Sequence, residues 1–398
     1  MSLLDKLQSF AERIAACGDG PTPFDTVVEE VLGPTEVVIA GRRTLMCGSN
    51  NYFGLSFHPD VQAAARAAID RDGVGTTGSR AANGTYAAHR RLEDAFAAIY
   101  GKQHALVFTT GYQANLGVIS GLCGPEDTVL LDTESHASIY DGATLSSAQL
   151  FAFRHNSSAD LARKLARQPD GRRCLVVVEG LYSISGDVAP LSEVVATCRA
   201  AGAWLMVDEA HSFGAFGARG LGCAEAQGVL DEVDFIVGTF SKALAGVGGY
   251  CVSNHPAVKL LHFAARPYVF TASGSPANIA GVHAALKILS TDVALRARLW
   301  DNIRRARAGL EHVGFATSAT ESPIVTIEIG TADRTVAMWR ALLESGVYTN
   351  IVLPPACRPE ACLLRTSFSS AHTPEQIDRA LAAFEAAGRA LSIIETAA

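Results

Sequence analysis

Lys242 lies in Val237-Gly238-Thr239-Phe240-Ser241-Lys242-Ala243, and upstream His211 closes Asp208-Glu209-Ala210-His211. Each stretch follows a short apolar run that reads as a buried strand, Ala203–Val207 and Phe235–Val237. Polar groups delivered at the carboxyl ends of neighbouring parallel strands build the ligand sites of open α/β sheets. A lysine, an aspartate and a histidine delivered in this way match the needs of pyridoxal 5′-phosphate. The amine forms a Schiff base, the carboxylate keeps the pyridine nitrogen protonated, and further groups position the ring.

Each residue alone has a plainer reading. An aspartate at a strand end caps a helix, and a loop histidine is solvated; it is Lys242 together with Asp208 and His211 that outweighs these. Thr239 and Ser241 add two hydroxyls suited to a phosphate, and Gly246, Gly248 and Gly249 follow closely. Thr109-Thr110-Gly111-Tyr112-Gln113-Ala114-Asn115 follows another strand and opens a helix over Ala114–Leu122. Free N–H groups at such a start bind anions, which places the cofactor phosphate there, with Gly111 admitting close approach. His136, in Ser135-His136-Ala137-Ser138, either stacks on the cofactor ring or is an ordinary loop histidine; local sequence leaves both open.

Other chemistries find no support. Gly73-Val74-Gly75-Thr76-Thr77-Gly78 spells a dinucleotide fingerprint, but that pattern needs a preceding strand, and Val61–Asp72 reads as a helix. The acidic motif at Asp208 superficially resembles a helicase box, yet no phosphate loop of the G-x-x-x-x-G-K-[ST] type occurs. No G-x-S-x-G elbow supports a serine hydrolase. A formal charge of −7 argues against a nucleic-acid surface, and no run of apolar residues is long enough to span a bilayer. Nine dispersed cysteines without a Cys-x-x-Cys pair read as reduced thiols of a cytoplasmic protein, with Cys123, Cys174 and Cys251 in the core and no metal site at Cys357 and Cys362.

These residues must be held by a scaffold, and the apolar runs describe it. Strand-length runs recur at His104–Thr109, Thr128–Asp132, Cys174–Glu179, Ala203–Asp208, Asp234–Gly238, Gly249–Val252 and Tyr268–Ala272. Helical patterns such as Ala159–Arg167 and Leu191–Ala201 separate most of them, which predicts an α/β fold with a mostly parallel seven-stranded sheet. Beyond Ser290, amphipathic helices at Val293–Val313, Thr335–Ser345 and Thr373–Ser392 alternate with strands near Ile324–Ile329 and Cys362–Ser367, a smaller α+β domain. The expected division is an N-terminal helix and arm over 1–47, a large cofactor-binding domain over 48–288 and a small domain over 289–398. Met1–Ala16 reads as an amphipathic docking helix, the one part that could touch a bilayer.

From about Asn51 onward the chain resembles the α-oxoamine synthases, pyridoxal-phosphate enzymes of the aspartate-aminotransferase fold (fold type I). The resemblance rests on Asn51-Tyr52-Phe53-Gly54-Leu55, Gly111-Tyr112, Ser135-His136-Ala137-Ser138, Asp208-Glu209-Ala210-His211-Ser212 and Gly238-Thr239-Phe240-Ser241-Lys242. Gly78-Ser79-Arg80 with Asn83-Gly84-Thr85, His136–Gly142 and Arg266–Ser273 are most similar to its soluble bacterial, serine-using branch.

The resemblance implies His136 on the ring face, Asp208 at the pyridine nitrogen, His211 at the ring oxygen and Lys242 as the Schiff-base lysine. It implies Gly111, Tyr112, Thr239 and Ser241 at the phosphate, with Thr271 and Ser273 reaching it from the partner subunit of a homodimer. Arg365 matches the arginine that holds the amino-acid carboxylate, and Asn51, Tyr52 and Asn83 fall on the substrate side. The implied reaction condenses L-serine with a long-chain acyl-CoA such as palmitoyl-CoA, giving 3-oxosphinganine, CoA and CO₂ and opening sphingolipid synthesis. Sibling activities take alanine with a pimeloyl thioester or glycine with a short acyl-CoA, and a catalytically silent partner subunit would lack Lys242. One departure concerns Leu353-Pro354-Pro355, where serine-using and biotin-pathway relatives resemble each other in Arg-Pro-Pro.

Overall fold

The computed structural model describes residues 3–18 and 20–395. They fall into two compact units, one of Leu55–Ser183 and Asp187–Arg296, the other of Met1–Gly54, Ile184–Gly186 and Ala297–Ala398. The first unit is built on a seven-stranded sheet. Its spatial order is His104–Phe108, Gly249–Ser253, Phe235–Thr239, Trp204–Asp208, Arg173–Glu179, Asp127–Asp132 and Gln149–Phe153. From Phe235–Thr239 to Gln149–Phe153 every neighbouring pair is parallel. Gly249–Ser253 alone runs antiparallel to both its neighbours. The parallel strands inside the sheet are covered on both faces, which is why they are nearly continuous apolar runs; Val129, Val177, Met206 and Val237 are buried in one core cluster with Leu106 and Val118.

One expected strand is corrected. Arg266–Val269 is a short helix, begun by Pro267 in its first turn, and Ala272 makes only an isolated bridge to Ser79. Proline at a helix start costs no hydrogen bond and its fixed φ suits the turn. Tyr268 is then buried edge-on to Phe108, ring centroids 5.5 Å apart, so its apolar character serves packing and not a sheet. The seventh strand is Gln149–Phe153 at the sheet edge, whose mostly part-exposed residues make no strong apolar run. The residues before Gly73 form the helix Pro59–Asp72, as the periodicity predicts.

A buried ion pair braces this unit. Arg80 bonds Glu93 at 2.8 Å with both side chains almost fully buried, donates to the Val107 carbonyl at 3.0 Å and lies over the Tyr268 ring. Breaking a buried pair from one side leaves an uncompensated charge. Arg80→Met is therefore expected to cost about 3 kcal/mol of stability, read as a lower urea midpoint.

The second unit has two sheets. Val325–Gly330, Cys362–Thr366 and Asn350–Val352 pair antiparallel with Cys362–Thr366 in the centre. Glu30–Val31, Glu36–Ile39, Arg42–Met46 and Val347–Tyr348 make the other. Its hairpin turns at Ala40-Gly41, both with positive φ, the two-residue geometry whose twist matches the flanking strands. Helices Asp5–Ala16, Ala332–Glu344 and Pro374–Ala390 and most of Val293–His312 also belong to the unit, Pro374–Ala390 being begun by a capping box of Thr373 and Gln376. Cys174 and Cys251 are buried, whereas Cys123 is only half-buried. No helix among the described residues is long and apolar enough to cross a membrane.

Candidate active site

The carboxyl ends of the parallel strands open into a cavity of ≈ 300 Å³ in the first unit, lined by Gly111, Tyr112, Asn115, His136, Ser138, Glu179, Asp208, His211, Thr239, Ser241 and Lys242. Four strand exits supply it. Asp208 ends one buried strand and Glu179 its parallel neighbour, Thr239 ends a third, and His104–Phe108 leads through Thr109-Thr110 to Gly111.

At one end lies a cradle of small groups. The helix Gly111–Leu122 is capped by Thr110, whose hydroxyl accepts from the Gln113 N–H at 3.0 Å. The first N–H groups of a helix, here those of Gly111 and Tyr112, have no intrahelical acceptor and carry the positive end of its dipole. The Thr239 and Ser241 hydroxyls lie 3.0 Å apart, and Thr239 Oγ1 also donates to the Gly248 carbonyl at 3.0 Å. Gly111 is pressed so close that a Cβ there would meet the Thr239 side chain at 2.7 Å. Gly111→Ala must therefore displace Thr239, and an affinity loss of about tenfold for a phosphate-bearing cofactor is expected, measured by equilibrium binding.

The lysine loop is pinned at both sides. Phe240 is fully buried and stacks on Phe96, and its N–H and carbonyl bond Gly248 and Gly246 at 2.9 Å each. Gly248 has φ +150° and a Cβ there would strike the Phe240 ring, so glycine is required at that turn. Lys242, half-buried, is thereby held at the cavity wall.

At the other end Asp208 is buried with a donor on each carboxylate oxygen, Asn115 Nδ2 at 2.7 Å and the Ala210 N–H at 2.9 Å. Asn115 Nδ2 also reaches Ser138 Oγ at 2.9 Å, which in turn lies 2.7 Å from His136 Nδ1. Protein crowding around the His136 ring lowers its pKa, with Lys242 adding to the effect against the pull of Asp208, so the imidazole is neutral near pH 7. The Tyr112 ring stands edge-on to it at 6.3 Å, with its hydroxyl bonded to Asp141. Glu209 points away from the cavity: it is fully buried, accepts from Ser212 and from the Cys223 and Ala224 N–H groups, and its pKa is pushed up to about 7, chiefly by burial. It anchors the loop that presents Asp208 and His211.

Phosphate donors at one end, a buried anion at the other, a lysine between them and a flat imidazole fit pyridoxal phosphate. Asn115 Oδ1 is buried there without a hydrogen-bond donor. Asn115, Ser138 and Glu179 were not singled out as site residues from sequence. Asp132, Glu179 and Asp208 each close a buried strand with an acid, and that repeated pattern was the available signal.

The remaining candidates stand elsewhere. Thr271 accepts from Gln113 Nε2 at 3.0 Å, and Ser273 is buried on Thr76 and the Gly84 carbonyl at 2.7 Å each; neither lines the cavity of its own chain. Asn83, exposed, bonds the Thr76 carbonyl at 3.3 Å. Arg365, Asn51 and Tyr52 belong to the second unit. Arg365 is buried on the strand Cys362–Thr366 and bonds Asn50 Oδ1 at 3.0 Å. Burial raises the pKa of Tyr52, and the neighbouring Arg365 opposes that shift.

The fold and the cavity define a chain of the pyridoxal-phosphate aminotransferase type, and the family model for aminotransferase class I and II matches residues 44–384. The chain belongs to that family. It is 49% identical over 398 residues to a serine palmitoyltransferase of Caulobacter vibrioides, covering 99% of this chain and 98% of that one. A solved Sphingomonas wittichii serine palmitoyltransferase superposes with a TM-score of 0.96 at 46% identity, over 99% of this chain and 100% of the other. A high-resolution structure described as SPT with PLP internal aldimine gives the same TM-score, identity and coverage.

Proposed function

We propose that this chain is a pyridoxal-phosphate-dependent acyltransferase. It condenses L-serine with a long-chain acyl-CoA, palmitoyl-CoA foremost, to give 3-oxosphinganine, CoA and CO₂, the first step of sphingolipid synthesis. The observation that carries this reading is the meeting of Lys242, Asp208 and His136 in one cavity, in a chain 49% identical to a serine palmitoyltransferase over 99% of its length.

Pyridoxal phosphate, when bound, supplies an electron sink for negative charge at the amino-acid Cα. The protein does the rest. Gly111, Tyr112, Thr239 and Ser241 hold the phosphate. Asp208, fixed by Asn115 and the Ala210 N–H, keeps a proton on the pyridine nitrogen, and His211 donates at the ring oxygen. Neutral His136 covers the ring face. Lys242 would anchor the cofactor through its amine; once the amine of the incoming amino acid has taken its place, the freed Nζ would take the Cα proton and return one after CO₂ has left. Arg365 holds the serine carboxylate through a planar fork of donors, with Asn51, Tyr52 and Asn83 on the substrate side. The working unit is a cytoplasmic homodimer in which Thr271 and Ser273 serve the partner's phosphate, and the N-terminal helix is its point of membrane contact.

The test is CoA thiol release from palmitoyl-CoA by the purified, cofactor-loaded protein, with L-serine, L-alanine and glycine in parallel. Serine-dependent release is expected, and would show that Leu353 does not bar that substrate. Release with alanine or glycine only would move the chain to a sibling activity, and none with all three would overturn the reading.

A further inference from the structure

Glu179 enters no step given so far, yet it occupies the cavity. It closes the strand Arg173–Glu179 and is in register with Asp208 on the parallel neighbour. Residues so paired project from the same face of a sheet, and both line the cavity. Both are also buried, Glu179 at 3% and Asp208 at 5% exposure. Two carboxylates sharing a buried space do not both ionise readily, and their surroundings decide which one does.

Here the surroundings differ. Asp208 has a donor on each oxygen. Glu179 has the backbone N–H of His136 on Oε1. The groups facing it are Asp208 from one adjacent strand, Asp132 from the other, Tyr182 beyond its own strand, and Lys242 and His136 from the loops. Burial, then Asp208, push its pKa up to about 8, against the smaller opposing effects of the His136 N–H and Lys242.

We propose that Glu179 is a positioning residue that carries a proton in the working enzyme: as a neutral acid it anchors the His136 backbone and leaves the negative charge of the cavity floor to Asp208. This rests on the roles assigned above to His136 and Asp208. A second anion beside Asp208 would draw the same proton and cation partners. A residue without an acceptor at this point would release the loop that sets the imidazole. A glutamic acid that keeps its proton avoids both.

The test uses the full-length protein with pyridoxal phosphate as the probe. Glu179→Gln keeps an acceptor for the His136 N–H and bears no charge. At neutral pH its dissociation constant for pyridoxal phosphate is expected within about twofold of the parent, whereas Glu179→Ala, which strands a buried N–H, should bind the cofactor about tenfold more weakly. Infrared difference spectra between parent and E179Q should show the C=O stretch of a protonated carboxylic acid at neutral pH, fading from the parent as pH rises through about 8. If E179Q binds as weakly as E179A, or the band is absent at neutral pH, the proposal is overturned. Should E179A fail to fold by circular dichroism, E179Q and the infrared band decide alone. A parent protein that takes up no pyridoxal phosphate would overturn the reading of the cavity itself, and this inference with it.

Discussion

Lys242→Ala is expected to abolish serine-dependent CoA release, by roughly 10⁴-fold or more, because the amine is both anchor and proton carrier. The surrounding loop does not depend on it: Phe240 is fixed by Phe96 and by Gly246 and Gly248, and the Thr239–Ser241 hydroxyl pair remains. The variant should therefore fold, with an unchanged far-ultraviolet spectrum, and retain phosphate binding in the cradle. Lys242→Arg should not rescue it, since a guanidinium stays charged and cannot accept the Cα proton. Near-normal turnover in either variant would remove the lysine from the chemistry and sink the mechanism.

Asp208→Asn should be nearly as severe. The replacement is the same size but uncharged, and its amide group faces Asn115 Nδ2 and the Ala210 N–H, both donors. At most one of these can still find an acceptor oxygen without strain, and nothing holds a proton on the pyridine nitrogen. A fall in kcat of roughly 10²- to 10³-fold is expected, the size of losing one preorganised electrostatic contact in a dry site. The KM for serine should change far less, because Arg365, assigned to the carboxylate, is untouched. A variant with unaltered kcat would show that Asp208 serves only to hold Asn115 and the loop.

What could be read from sequence follows from what each element must do locally. Buried parallel strands have to be apolar along their whole length, so Arg173–Glu179, Trp204–Asp208 and Phe235–Thr239 announced themselves, and the polar residues closing them marked the site. Gln149–Phe153 did not, because an edge strand with part-exposed faces needs no such run. Tyr268 misled because a buried aromatic looks the same whether a sheet or a helix buries it. The hairpin over Glu36–Met46 was hidden for a similar reason: its turn is Ala40-Gly41, without the asparagine or aspartate that usually marks positive φ. Asn115 escaped notice since its role exists only across the sheet, at Asp208.

The lone antiparallel strand Gly249–Ser253 also sets a timetable for the cradle. It lies between His104–Phe108 and Phe235–Thr239 and pairs with both. Gly249 itself packs against Gly111, where a Cβ would come within 2.7 Å of the Gly111 backbone. The two halves of the phosphate cradle, more than a hundred residues apart in the chain, touch at Gly111 and Thr239 and are tied into one sheet by a strand made after both. During synthesis the strand that ties both halves into one sheet is complete only at Ser253, and joining such distant segments is a late step in folding. A cofactor that binds the finished cavity and not its parts then stabilises complete chains selectively, so its availability acts as a check that the ribosome has delivered the whole sheet.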